Sequence, residues 1–307
     1  MDVGLQAFYL GASAVILLVY STRPLKDRFL AYGARNVSAK EHSRITPGRP
    51  NLLTHFLDYL ATLQVPHSWF LSFYVTSVCS SVLWAHQLLT SGPLLNYVAT
   101  RTTRKNESMS RAQVALCCSL VTLQGTRRLY ECITLTKPTK SKMWITHWLI
   151  GILFYLATGV AVWIEGVPAL TSPDSSSFIA SFCTPGVWPW PWPWPLMLVL
   201  VMGFIWFSKR QHDIHVHLAS LQKYSVPVHP SFDKIICPHY YEECKLYMCL
   251  ELMATPPRAW VNWTMLCALI FVAVNLGITA DVSKTWAVGT FGSERIKNKA
   301  RIMPDVW

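Results

Sequence analysis

The chain has 307 residues, of which 52% are hydrophobic and only 14% charged, and its mean hydropathy is +0.29. A soluble domain carries about 25% charged residues, so this composition excludes a pair of soluble globular domains, and its hydrophobicity excludes disorder. The expected class is a polytopic membrane protein. The net charge of +11, from 27 basic against 16 acidic residues, must then be explained by where the charges fall.

Crossing a bilayer takes about 20 mostly apolar residues in a helix. The first such stretch runs from Gly4 to Tyr20. It has Asp2 as its only preceding charge and no clear small-x-small cleavage site, so it reads as a retained span rather than a signal peptide. The second is Trp69 to Leu89. The third, Ala112 to Leu123, is short and runs into Gln124 and two arginines. The fourth is Met143 to Ile164, and the fifth runs from about Trp192 to Phe207. The sixth, Cys237 to Ala254, is weak and carries Glu242, Glu243, Lys245 and Glu251. The seventh is Trp260 to Ala280. The fold expected is all-α and polytopic, with about seven transmembrane helices.

Seven spans put the termini on opposite sides, and the positive-inside rule tests that count. With the C-terminus cytosolic, the inside segments are 23–67, 126–142, 209–245 and 284–307. They hold 7, 5, 5 and 5 lysines and arginines, 22 of the 27, while the loop 165–190 has none. The basic balance therefore reads as a topology signal and not as a nucleic-acid footprint. An Asn106-Glu107-Ser108 sequon falls on the opposite, lumenal side. The nine cysteines are odd in number, form no CxxC and sit partly in apolar runs, which predicts neither a disulfide framework nor a zinc site. The alternating run Trp188 to Pro195 reads as an extended interfacial lead-in to the fifth span, because Pro opposes helix and Trp favours the membrane boundary.

Polar residues near membrane depth are costly, and they form four groups. Gln124-Gly125-Thr126-Arg127-Arg128-Leu129-Tyr130-Glu131 closes the third span; the paired arginines read either as a stop-transfer flank or as a phosphate-binding fork. Gln211-His212-Asp213-Ile214-His215-Val216-His217 follows the fifth span, with His212 and His215 on one helix face. A di-iron site would need several such histidine boxes. The chain clusters its ten histidines only here, so no metal is expected. Cys237-Pro238-His239-Tyr240-Tyr241-Glu242-Glu243 opens the sixth helix, where Pro and carboxylates suit a first turn. Glu243, Lys245 and Glu251 continue toward membrane depth and fit a buried polar pocket better than a lipid face. The fourth group, Val65 to Val78, brings an X-Pro start, aromatics and hydroxyls into the second span. There is no GxGxxG, P-loop, GxSxG or HExxH, so a nucleotide would bind without a Rossmann domain.

Together these groups resemble the steroid 5-alpha-reductase family, in particular its polyprenol (polyprenal) reductase branch. Val65-Pro66 with Phe70, Phe73-Tyr74 and Ser77-Val78 is similar to that branch's VPxxxFxxFYxxSV pattern. Arg127 to Glu131 resembles its RRL(F/Y)E motif, and His147-Trp148-Leu149 with Gly151 and Phe154-Tyr155 resembles its next span. Gln211 to Leu221 resembles the segment after the fifth span. Cys237-Pro238-His239-Tyr240 with Glu243 and Tyr247 resembles its (S/C)P(N/H)Y..E...Y motif. Asn275 and the tail Met303 to Trp307 fit its C-terminus. The resemblance covers 65–307, with a C-terminal signature region over 120–307, and leaves 1–64 as a first span and cytosolic loop.

What the resemblance implies is a seven-span protein of the endoplasmic reticulum membrane. It would bind NADPH from the cytosolic side and reduce the alpha double bond of a polyprenoid lipid in dolichol biosynthesis, which supports protein N-glycosylation. It implies no nucleic-acid partner and no metal, and names no partner protein. Arg127, Arg128, Gln211, His215, His239, Tyr240 and Glu243 fall at cofactor-binding positions, the two arginines toward the phosphates. Tyr74 and Glu131 are the candidate catalytic residues. Two departures stand out. The steroid branch's Glu–Tyr pair is matched here by Phe73 and Gly125, which argues against a steroid substrate. Ala287 and Val288 stand where the family has Tyr and Lys after the last span, which weakens the expected hold on the cofactor. A reductase of another lipid enone, a non-catalytic relative and a transporter are the competing readings; a transporter would show internal repeats, and none is present.

Overall fold

The computed structural model describes residues 1–30, 52–103, 107–172, 192–222 and 225–304. Asn106 of the sequon, Cys183, the first half of the Trp-Pro run and the last three residues of the tail lie outside them.

Seven long helices occupy the seven expected places. They are α1 (Asp2–Ser21), α4 (Leu71–Thr90), α5 (Arg111–Leu135), α6 (Ile145–Ile164), α7 (Trp194–Ser220), α8 (Pro238–Ala254) and α9 (Trp263–Phe291); α2 (Arg23–Phe29) and α3 (Leu52–Thr62) lie between the first two. Four of the long helices, counting the 3-10 turn His67–Phe70 with α4, are long and apolar enough to cross a membrane by length and composition: α1, α4, α6 and α9. The other three carry polar and charged residues along part of their length. α5 begins at a capping box, in which Ser110 and Gln113 satisfy each other's backbone groups. It then runs through Gln124 and both arginines to Leu135, well past the apolar stretch 112–123. α7 likewise continues to Ser220, because nothing in Lys209–His217 breaks a helix.

The helices pack in a ring of neighbours: α1 on α9, α9 on α8, α8 on α7, and α4 on both α5 and α6. Tyr9, Phe154 and Phe271 form the aromatic centre where α1, α6 and α9 meet, with Tyr247 of α8 beside Phe154. Two glycines permit close helix contact. A Cβ on Gly125 would lie 2.6 Å from Ser77 Oγ, and one on Gly151 would lie 2.6 Å from the Phe73 ring. One feature departs from all-α: β1 (Gln64–Pro66) pairs antiparallel with β2 (Lys142–Trp144), Val65 facing Met143. This ribbon ties the start of α4 to the start of α6 and so fixes Tyr74 beside Tyr155. The eight described cysteines are free thiols.

Candidate active site

The α5 segment after Leu123 presents Gln124, Arg127, Arg128 and Glu131 at helical spacings of three and four, so they share one face. α7 presents Gln211, His212 and His215 against that face. Glu131 is 3% exposed and is the hub. One carboxylate oxygen accepts from Arg127 and lies 2.8 Å from His212 Nδ1; the other accepts from Arg128 and lies 2.8 Å from His215 Nδ1. Arg127 also donates to Gln124, at 3.0 Å, and to Gln211. Gln211 Nε2 donates to Glu243 at 2.5 Å and to the His239 carbonyl at 3.1 Å, which carries the network onto α8. Arg128 Nη2 donates to Tyr74 Oη at 2.5 Å, which carries it onto α4. Four helices are thus joined by one continuous polar network.

Glu131 and His215 lie beyond the apolar stretches of their helices. Burial by itself would raise the Glu131 carboxyl, but the His215 hydrogen bond and the Arg128 and Arg127 charges hold it well below the usual carboxylate range. Burial, with the Arg128 charge beside it, pushes the His215 imidazole down to about 4. The imidazole is therefore neutral at pH 7. Its Nδ1 lies 2.7 Å from Arg128 and 2.8 Å from Glu131, and can accept from the one or donate to the other according to tautomer.

Seven of the nine candidate residues line one cavity of about 270 Å³: Tyr74, Arg128, Gln211, His215, His239, Tyr240 and Glu243. Its other walls are mainly apolar and come from α1, α6 and α9, including Ile16, Ile150, Phe154, Phe271 and Leu276. Arg127 and Glu131 do not line it; they stand behind Arg128, Gln211 and His215. The cavity has a polar end and a long apolar flank, the arrangement needed by a lipid with one reactive polar terminus. Among the described residues no three His, Cys, Asp or Glu are grouped to hold a metal ion, and the carboxylate between His212 and His215 is held by the two guanidiniums.

Four participants stand in the sequence motifs but are given no site role there. Gln124 bridges Ser208, Gln211 and Glu243, and its position one turn before Arg127 and Arg128 was the available signal. His212 shares Glu131. Tyr155 and Tyr247 line the cavity. Only the packing of α6 and α8 against α4 reveals them. Phe73 is buried against Gly151 and Phe70, and Gly125 lies against Ser77, so neither expected departure leaves a carboxylate or a phenol at those points. Ala287 is buried in the wall of a second, mostly apolar cavity of about 370 Å³ that also reaches His239.

Comparison with known proteins agrees with the motifs. The sequence model of the family described as 3-oxo-5-alpha-steroid 4-dehydrogenase matches residues 177–307. That part of the chain is therefore similar to a family of oxidoreductases of the steroid 5-alpha-reductase type. More particularly, the chain is 24% identical over 277 residues to polyprenal reductase 2 of Oryza sativa subsp. japonica, covering 75% of this chain and 76% of that protein. The polyprenal reductases of Xenopus laevis and Caenorhabditis elegans are each 24% identical, over 80% and 78% of this chain and 79% of each relative.

Proposed function

We propose that the chain is an NADPH-dependent polyprenal reductase, acting on the alpha double bond of a polyprenoid in dolichol biosynthesis and so serving protein N-glycosylation. On this reading it is a seven-span protein of the endoplasmic reticulum membrane with a cytosolic C-terminus, and 65–307 form the reductase domain. The observation that carries the proposal is the cavity whose polar end, Tyr74, Arg128 and Glu243, faces a long apolar flank. Similarity to polyprenal reductases along three-quarters of the chain supports it.

The residues present suit a dinucleotide. Gln211 and Glu243 offer amide and carboxylate contacts, and the His239 and Tyr240 rings, with centroids 4.2 Å apart and planes inclined at 55°, offer aromatic surface. With His215 they would hold NADPH, which supplies the hydride for the beta carbon of the enal. The rest of the chemistry belongs to the protein. As the double-bond electron pair shifts toward the carbonyl, its oxygen gains negative charge, and a preorganised donor there lowers the barrier. Tyr74 is that donor; the enol that results then takes a proton from solvent at the alpha carbon and returns its hydroxyl proton to the Tyr74 oxygen, which completes the saturated aldehyde. The Tyr74 oxygen already accepts from Arg128, which leaves its own hydrogen free to give. Glu131 touches neither ligand; it holds Arg128 and His215 in place. Arg127 acts through Gln211.

The test is product analysis by mass spectrometry after incubating the purified protein in lipid with NADPH and polyprenal. An aldehyde saturated in its alpha unit is expected. NADPH binding without product would redirect the reading to another lipid enone, which the altered wall at Ala287 makes the second choice. Neither product nor NADPH binding would overturn it.

A further inference from the structure

α3 (Leu52–Thr62) buries none of its residues. Leu52, Phe56, Tyr59 and Leu63 fall at i, i+4, i+7 and i+11, within one narrow stripe, and are 90, 55, 62 and 37% exposed. Thr54 and Asp58 lie on the opposite arc, and Thr62 and His55 on the flank between it and Tyr59. Isolated exposed apolar residues are ordinary, but an aligned stripe of four, with Leu53 beside it, marks a contact surface.

The location of α3 decides what covers that stripe. Arg28, in the helix that follows α1 directly, bonds Asp58 at 2.6 Å. Trp144 Nε1 donates to the Leu60 carbonyl at 2.9 Å, and the Ile145 amide donates to the Leu63 carbonyl at 2.9 Å, both at the start of α6. β1 follows α3 at once and leads into α4. The helix is therefore tied to the ends of three candidate spans, α1, α4 and α6, all on the basic side of the molecule. A helix held at that level lies at the boundary between bilayer and water.

We propose that α3 is an interfacial helix whose Leu52–Phe56–Tyr59–Leu63 stripe lies in the lipid headgroup and upper acyl region, beside the mouth of the cavity. The mouth is the same structure: Trp144, which bonds α3, stacks on Phe29 at 4.2 Å, and both line the cavity. An amphipathic helix of this kind buries its apolar face about 5–10 Å into the boundary. The inference needs the membrane but not the reductase activity.

The test uses the full chain in phosphatidylcholine liposomes, with a genetically encoded benzophenone side chain placed at Phe56 and, separately, at Thr54 on the opposite arc. Irradiation followed by mass spectrometry is expected to give a lipid adduct at 56 that is lost at 54. Crosslinking of position 56 to a second copy or to another segment of this chain would overturn the proposal, as would equal lipid adduct at both positions. Retention of the Arg28–Asp58 tie, read as an unchanged thermal midpoint, keeps a failed fold from being mistaken for either result.

Discussion

Glu131 is a carboxylate shared by two guanidiniums and two imidazoles, so its removal exposes the cost of everything it holds. Breaking a buried ion pair by deleting one partner typically costs about 3–5 kcal/mol, because the remaining charge stays buried. Glu131→Gln is therefore expected to lower the thermal midpoint in detergent, and an unchanged midpoint would remove Glu131 as the hub. Tyr74→Phe deletes only the donor. Turnover should fall by about 10²–10⁴-fold, the usual share of a general acid, while NADPH affinity measured by fluorescence stays close to wild type. His215 gives a pH signature. Its unfolded pKa is about 6.5 and its folded value about 4, so the unfolded state takes up the proton first as pH falls. The stability contributed by the neutral imidazole is full above pH 6.5 and is lost between about 6.5 and 4. A scan of thermal midpoint against pH should show that loss, and His215→Asn should flatten it.

At the scale of elements, the glycine contacts separate a yielding neighbour from an unyielding one. Gly151→Ala drives a methyl into the Phe73 ring, which is wedged among Phe70 and Tyr155, and should cost about 1–3 kcal/mol as overpacking. Gly125→Ala meets the Ser77 hydroxyl, which can rotate away, and should cost less; the reverse order in thermal melts would mean that α4 and α5 are the tighter pair. The polar network was half legible in the sequence. Gln124, Arg127, Arg128 and Glu131 lie on one face by spacing alone, and so do Gln211 and His215. What spacing could not show is that the two faces meet, since that depends on α7 and α8 packing across α5. Helix ends were legible less well: the apolar stretches stop at Leu123 and Phe207, but neither backbone has reason to leave the helix there, so α5 and α7 run on and carry the site. The three-residue strands of the ribbon were invisible, being too short for any alternation. Tyr155 was visible as part of a span motif, with nothing to place it at the cavity.

At the scale of the molecule, Asp281 binds the chain's two ends together. It accepts from Tyr20 at 2.8 Å and from Arg301 Nε at 2.5 Å, with Lys26 Nζ at 3.6 Å. This joins the end of α1, the C-terminal half of α9 and the C-terminal segment on the side richest in lysine and arginine. Asp281→Asn should make the C-terminal segment more open to protease in sealed vesicles with the wild-type orientation, and unchanged cleavage would show the clamp to be dispensable. The charge distribution over the whole chain gives an expectation of sidedness, whereas no motif or spacing reveals the cavity, because its walls come from α1, α4, α6, α8 and α9 at once. That cavity holds the central claim, that hydride reaches the beta carbon of an enal whose oxygen faces Tyr74. Reduction of polyprenal with NADPH deuterated at the transferred position tests it most directly. The account predicts deuterium at the beta carbon of a saturated alpha unit. Deuterium at the carbonyl carbon, giving an allylic alcohol with the double bond intact, would contradict it.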